Sequence, residues 1–368
     1  MLPYVFLILI PLVFSLVTVD KGRIYICGDS DTREKNLALP VFFLMLFFIL
    51  ALRHETVGND LLNYKYYFQI HSNSALKDLM SYETESLFKV FNWLIGRITD
   101  NYQWYLTIVA AVCLIPIAKV YCEDRTHSYL KIIVFVNMSV FVMLFSGIRQ
   151  SIAMAVGMVA YMFVRKKKLV AFILAVIVAI GIHHSAIMLA VMYPAYYMVL
   201  RKKHFYIIIP TIVITYVFNQ QIFTFITSAL SSYTDAYEAE IAGTGAFGSL
   251  ILFVLFAIFS HVVPDESKMD QDMLGLRNYM FVAVVIQCFA PLHMLAMRMN
   301  YYFILFIPLL LSKVLKVPKE DYSQVAITAE TVMNIFFTVY FLMTTYNSYV
   351  TGISALNTVP YVPFWRGY

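Results

Sequence analysis

Between residues 102 and 121 the chain reads YQWYLTIVAAVCLIPIAKVY, an apolar run with a single charge near its end. A helix needs about 20 such residues to cross roughly 30 Å of hydrocarbon. Runs of this kind recur throughout, near 3–19, 37–53, 102–121, 130–146, 148–164, 169–184, 185–200, 205–229, 247–263, 278–296, 299–315 and 325–345. Hydrophobic residues make up 61% of the chain and charged residues 13%, where soluble domains carry about half and about a quarter. The chain therefore reads as an all-α, polytopic integral membrane protein with about twelve transmembrane helices. Its opening, MLPYVFLILIPLVFSLVTVDKGR, lacks a basic start and a small-residue cleavage site, so it reads as a retained first span.

Basic residues set the orientation. If loops after the odd-numbered spans face the cytoplasm, RKKK at 165–168, RKK at 201–203 and the lysines of KVLKVPK at 313–319 lie inside. Both termini then lie outside. The net charge of +5 is modest and gives no sign of nucleic-acid binding. Cys27, Cys113, Cys122 and Cys288 show no CxxC or other ligand spacing, so neither a disulfide framework nor a metal site is supported.

This orientation gathers the unusual polar clusters on one outer face: segment 53–101, the turns at 146–150 and 181–185, the 230–246 loop, Arg298, and the tail 346–368. A site is expected there. Segment 53–101 is too polar to span, yet Leu87, Val90, Phe91, Leu94, Ile95 and Ile98 recur at helical spacing. An amphipathic helix near 75–99 is expected in the membrane interface, with Trp93 at headgroup depth and Glu85, Lys89 and Asn92 on the opposite face. With no internal repeat, one transmembrane domain over 1–368 is the simplest organisation.

Arg149, in FSGIRQSIA, is the residue that most needs explaining. An arginine at a helix centre costs about 2.5–3.5 kcal/mol on insertion scales, so such residues face a partner or a wet cavity. Near a helix end it can instead snorkel to water. Ser146, Gln150, Ala153 and Gly157 form a small and polar stripe beside it, which favours packing against protein. In RHETVGNDLLNY, Arg53 begins a turn that carries Asp60 and is followed by Tyr64. Carboxylates accept sugar hydroxyls and aromatic faces cover pyranose rings; an interfacial aromatic belt is the plain alternative. Glu85 has Lys89 four residues on, a favourable surface pair. His183 and His184 sit at the turn GIHHSA, without the spacing of a helical metal pair. Arg298 has Tyr302 one helical turn later and suits phosphate, with snorkelling again the alternative.

Together these stretches resemble the EpsG family of Wzy-like exopolysaccharide and O-antigen polymerases. RHETVGNDLLNY is similar to that family's R-x(4)-G-x-D-x-x-x-Y, and ESLFKVFN to its E-P-G-F-x-x-L-N, with Glu85 and Asn92 in register. FSGIRQSIA resembles S-G-x-R-Q-x-x-A, IHHSA resembles H-x-S-A, RMNYYF resembles R-x-x-x-Y-F, and VPYVPFW resembles a closing P-Y-x-x-F-W. The resemblance runs from residue 53 to 365; Ser86 and Leu87 depart from the usual Pro-Gly.

It implies a GT-C-like fold in the bacterial cytoplasmic membrane with an extracytoplasmic active face. The enzyme would join polyprenyl-diphosphate-linked oligosaccharide repeats during exopolysaccharide, capsule or O-antigen synthesis. A chain-length regulator and a flippase would be pathway partners, and the activated donor makes a cofactor unnecessary. Asp60, Glu85 or His183 would be the base, with Glu85 and Asp60 ahead, and Arg149 and Arg298 would stabilise the leaving diphosphate. Arg53, Tyr64, Gln150, His184 and Tyr302 would contact substrate. Three other classes compete. A nucleotide-sugar transferase would use Asp29-Ser30-Asp31 or Asp270-Gln271-Asp272 to bind metal. A flippase would carry paired, broken helices in two related halves. An outer-face O-acyltransferase would share the arginine–histidine theme.

Overall fold

The computed structural model describes residues 1–20, 23–26, 36–200, 205–229 and 245–366. Cys27, Asp29-Ser30-Asp31, the RKK at 201–203 and most of the 230–246 loop lie outside the described residues.

Helix α1 (Leu2–Ser15) leads into an antiparallel ribbon of β1 (Val17–Asp20) and β2 (Arg23–Ile26), paired from Val17 with Ile26 to Asp20 with Arg23. This two-stranded sheet is the one departure from the all-α expectation among the described residues. Then come α2 (Ala38–Ala51), α3 (Leu61–Asn73), α4 (Ser86–Gly96), α5 (Tyr102–Tyr121), α6 (Ser128–Asn137), α7 (Ser139–Ser146), α8 (Ile148–Arg165) and α9 (Leu169–Ile182). A 3-10 turn (His184–Val191) precedes α10 (Met192–Tyr197), α11 (Phe205–Val217), α12 (Asn219–Ala229) and α13 (Gly245–Val262). The chain closes with α14 (Gln271–Gln287), α15 (Met294–Ile304), α16 (Ile307–Lys316) and α17 (Ser323–Thr351).

Two compact units result. One comprises Met1–Ala190 with Ile327–Tyr368, the other Val191–Ala326. In the first, α8 packs along α9, α5 contacts both α2 and α8, and α3 packs on α4. In the second, α14 is central and touches α10, α13, α15 and α16.

Among the described residues, Tyr102–Tyr121, Leu295–Lys316 and Glu320–Thr351 are long and apolar enough to cross a membrane. Leu2–Ser15, Ala38–Ala51, Leu169–Ile182 and Ala246–Val262 are apolar but shorter. Several expected spans are broken. The run at 130–146 bends by 64° between α6 and α7. There Asn137 Nδ2 donates back to Ile133 O (2.7 Å) and across to Phe337 O (3.0 Å), while Met138 is extended. A side chain inserted into the backbone ladder is a recognised cause of such kinks. The run at 205–229 divides after Val217, and 185–200 holds only the 3-10 turn and six-residue α10.

The amphipathic helix expected near 75–99 is shorter, α4 alone, and its polar side packs into the protein. Glu85, Phe88, Lys89, Asn92 and Ile95 are buried, whereas Leu87, Leu94 and Ile98 are exposed. The polar side turns into the protein because its groups find partners there: Lys89 Nζ donates to the carbonyls of Tyr82 (2.7 Å) and Met80 (3.3 Å). Buried polar atoms that are hydrogen-bonded escape most of the desolvation cost. The apolar stripe is left outward, where lipid can cover it.

Candidate functional site

Three stretches of the first unit meet around Glu85. The first is the turn before α8. Gly147 starts that helix, so Arg149 falls in its first turn. The second is the end of α9, where His183 leaves the helix in extended conformation. Gly181 makes this approach possible, since a Cβ there would lie 2.7 Å from the Leu87 side chain of α4. The third is Glu85 itself, the residue that precedes α4.

Both carboxylate oxygens of Glu85 are used. Arg149 Nη1 donates to Oε2 (2.5 Å) and His183 Nδ1 donates to Oε1 (2.9 Å). The Glu85 side chain is 5% exposed and that of Arg149 26%. The expected Glu85–Lys89 surface pair is thus replaced by an ion pair across 64 residues of sequence. Burial pushes the Glu85 carboxyl up, but the His183 hydrogen bond and the Arg149 charge outweigh it and hold the group down at about 2. Glu85 is ionised at neutral pH. The Arg149 guanidinium carbon sits 5.9 Å from the Tyr64 ring centroid and 6.0 Å from that of Phe88. Charge and aromatic face share the space, an arrangement worth more where water is scarce.

Asp60 adjoins this cluster through Ser146. Ser146 Oγ donates to Asp60 Oδ2 (2.8 Å) and accepts from the Asp60 amide (3.2 Å). The contact depends on Gly58, whose φ is +123° and where a Cβ would fall 2.1 Å from Phe145 O. Only glycine lets the loop lie on the turn before α8. The C-terminal tail clamps the same loop. His54 N donates to Val362 O (2.8 Å), Gly58 N to Asn357 O (3.1 Å) and Phe364 N to Leu52 O (2.9 Å). Two stretches about 300 residues apart in sequence thus form one backbone-paired structure.

Other expected site residues are placed differently. Arg53 is 2% exposed, its guanidinium 5.7 Å from the Phe145 ring centroid beside Tyr4 and Tyr361. Gln150 is buried and His184 is exposed. Arg298, half-buried, and Tyr302, 1% exposed, both lie on α15 of the second unit. Asp270 and Asp272, also in that unit, both take Lys313 Nζ (2.9 and 3.1 Å). Asp270 Oδ1 caps α14 at Met273 N (2.7 Å), and Asp272 Oδ1 accepts from Tyr196 (3.0 Å). These carboxylates serve a lysine and a helix end.

One buried polar chain escaped the sequence reading. Tyr105 donates to Asn92 Oδ1 (2.9 Å), Asn92 Nδ2 to His71 Nδ1 (3.0 Å), and His71 Nε2 to Thr84 Oγ1 (3.3 Å). It ties α3 and α5 to both ends of the Thr84–Asn92 stretch, and so holds Glu85 in place. The available signal was a histidine on the apolar side of YKYYFQIH, seven residues after Tyr64.

Apolar helices of membrane-crossing length mark the chain as a helical membrane protein. The chain belongs to the EpsG family: the family's sequence model matches residues 36–362, from before Arg53 to the clamping tail. No curated protein and no solved structure matches it.

Proposed function

We propose that this protein is a Wzy-type polysaccharide polymerase, a glycosyltransferase of about twelve crossings in the bacterial cytoplasmic membrane. It would work on the extracytoplasmic face, moving a growing glycan from one polyprenyl diphosphate onto the sugar of the next lipid-linked repeat. The observation that carries this reading is the Glu85 carboxylate held between Arg149 and His183, with Asp60 and Tyr64 adjoining. Membership of the EpsG family supports it.

The reaction forms a bond from the acceptor oxygen to the donor's anomeric carbon and breaks that carbon's bond to diphosphate oxygen. The hydroxyl proton goes to a base, and the new negative charge stays on the departing lipid diphosphate. A carboxyl held at about 2 by two donors is a poor proton acceptor, so Glu85 acts as the orienting partner. With Nδ1 of His183 committed to Glu85, proton exchange by the ring runs through Nε2. Asp60 is the second candidate base, since Ser146 occupies only Oδ2 among its described contacts. The partly exposed edge of the Arg149 guanidinium meets the leaving diphosphate.

Arg149→Ala is expected to abolish polymer while the protein stays inserted, with single repeats accumulating on the carrier. Arg149→Lys is expected to restore little, because lysine lacks the planar fork. Long polymer at parental levels from Arg149→Ala, scored by gel, would refute this function.

A further inference from the structure

On the outer side of α3 lies a shallow hollow of about 450 Å³, lined by Tyr66, Gln69, Ile70, Asn73, Ser74 and Tyr82. That volume falls in the range of about 300–1,000 Å³ seen for small-molecule sites. None of the six lining residues is charged. The Tyr66 ring is 61% exposed, and Ile70 beside it is half-buried. Ser74 Oγ donates to Ile70 O (2.7 Å) and accepts from Tyr82 Oη (2.9 Å), so the pair presents two oxygen acceptors side by side. Asn73 spends Nδ2 on Gln69 O (2.8 Å) and keeps its carbonyl oxygen; the exposed Gln69 amide makes no hydrogen bond among the described residues.

We propose that this hollow is a glycan subsite, holding an uncharged sugar ring of the lipid-linked chain beside the Glu85 centre. The proposal rests on the polymerase reading and adds a place for substrate beyond the reacting atoms. The chemistry is that of a neutral saccharide: the Gln69 amide as donor beside the oxygen acceptors of Asn73, Ser74 and Tyr82, a tyrosine face for the C–H side of a pyranose, and no charge to select an ionic ligand. The floor is firmly held. Trp93 Nε1 donates to Ser74 O (3.3 Å), and the Arg97 guanidinium caps that indole at 4.6 Å. Lys89 Nζ holds Tyr82 O, three residues before Glu85, so the hollow and the carboxylate share one support. A platform fixed in this way loses little freedom when it binds.

The test uses the full chain in cells that depend on it for polymer. Tyr66→Ala with Gln69→Ala removes a ring face and an amide from an exposed surface, where substitutions seldom disturb folding. Losing such contacts weakens binding about threefold to tenfold. The expected result is polymer shortened at least about threefold with joining still evident, and Tyr66→Phe making parental lengths. Parental lengths from the double variant overturn the subsite, as does complete loss of polymer at normal protein level. If the double variant lowers protein level, Gln69→Ala alone decides by the same criterion. Arg149→Ala run alongside separates the two ideas: polymer from that variant sinks the polymerase reading, whereas its absence beside an unchanged double variant sinks only the subsite.

Discussion

The Glu85 centre and the Asp270–Asp272 pair use the same chemistry to different ends. In the first, one carboxylate is shared by two donors from different helices and is 5% exposed. In the second, two carboxylates share one lysine, and Asp270 is 61% exposed. A buried charge without its partners is costly, so the first arrangement constrains every element that contributes to it. The second cluster is open to water on the Asp270 side, although Asp272 and Lys313 are partly covered, and solvent there weakens what the pairs constrain. Counting charges therefore says nothing about which cluster matters; burial and the number of segments that converge do.

The largest expected effect that would break this contrast is at Glu85. Glu85→Ala strands Arg149 beside two aromatic rings and should destabilise the protein by about 3 kcal/mol, the scale for breaking a buried pair. Polymer should fall at least about 100-fold, in line with loss of a group that orients a general base. Thermal unfolding in detergent and polymer gels would read both. A smaller effect should come from His71. Burial, reinforced by the nearby Lys89 charge, lowers this imidazole from 6.5 to about 4, so it is neutral in the folded protein. Between these values the unfolded chain binds more protons than the folded one, so stability is full above about pH 6.5 and falls as pH drops towards 4. Melting temperature should decline from pH 7 to pH 5, and His71→Gln should flatten that decline. An equal slope in the variant would show that the histidine does not carry it. The smallest effect on polymer should be at Lys313, where Lys313→Met is expected to cost less stability than Glu85→Ala, since Asp270 is open to water, and to leave polymer length unchanged. Loss of polymer there would erase the distinction between the two clusters.

Arg149 could be singled out from the sequence because arginine inside an apolar run has few cheap explanations, and Asp60 because it follows a glycine in a polar turn. Their partners could not be identified from the chain. Lys89 lies one turn from Glu85 and is the natural local choice, yet it turns to backbone carbonyls while Arg149, 64 residues on, takes the carboxylate. The two sides of α4 are legible as stripes, but periodicity cannot say whether water or protein covers the polar one; Lys89 and Asn92 turn inward because backbone carbonyls, Tyr105 and His71 receive them. The bend at Met138 was hidden in an unbroken apolar run, because it depends on where Asn137 finds a carbonyl.

Composition and the recurring apolar runs pointed by themselves to a helical chain for a membrane, because a run of about 20 such residues suits hydrocarbon better than water. The sequence also supplies glycine at 58 and 181, two of the places where a side chain would collide with a neighbouring segment of the site. Tertiary structure decided which charges meet. An ion pair depends on distances of a few ångströms between segments scores of residues apart, and those distances are set by packing of the whole unit and not by any local pattern.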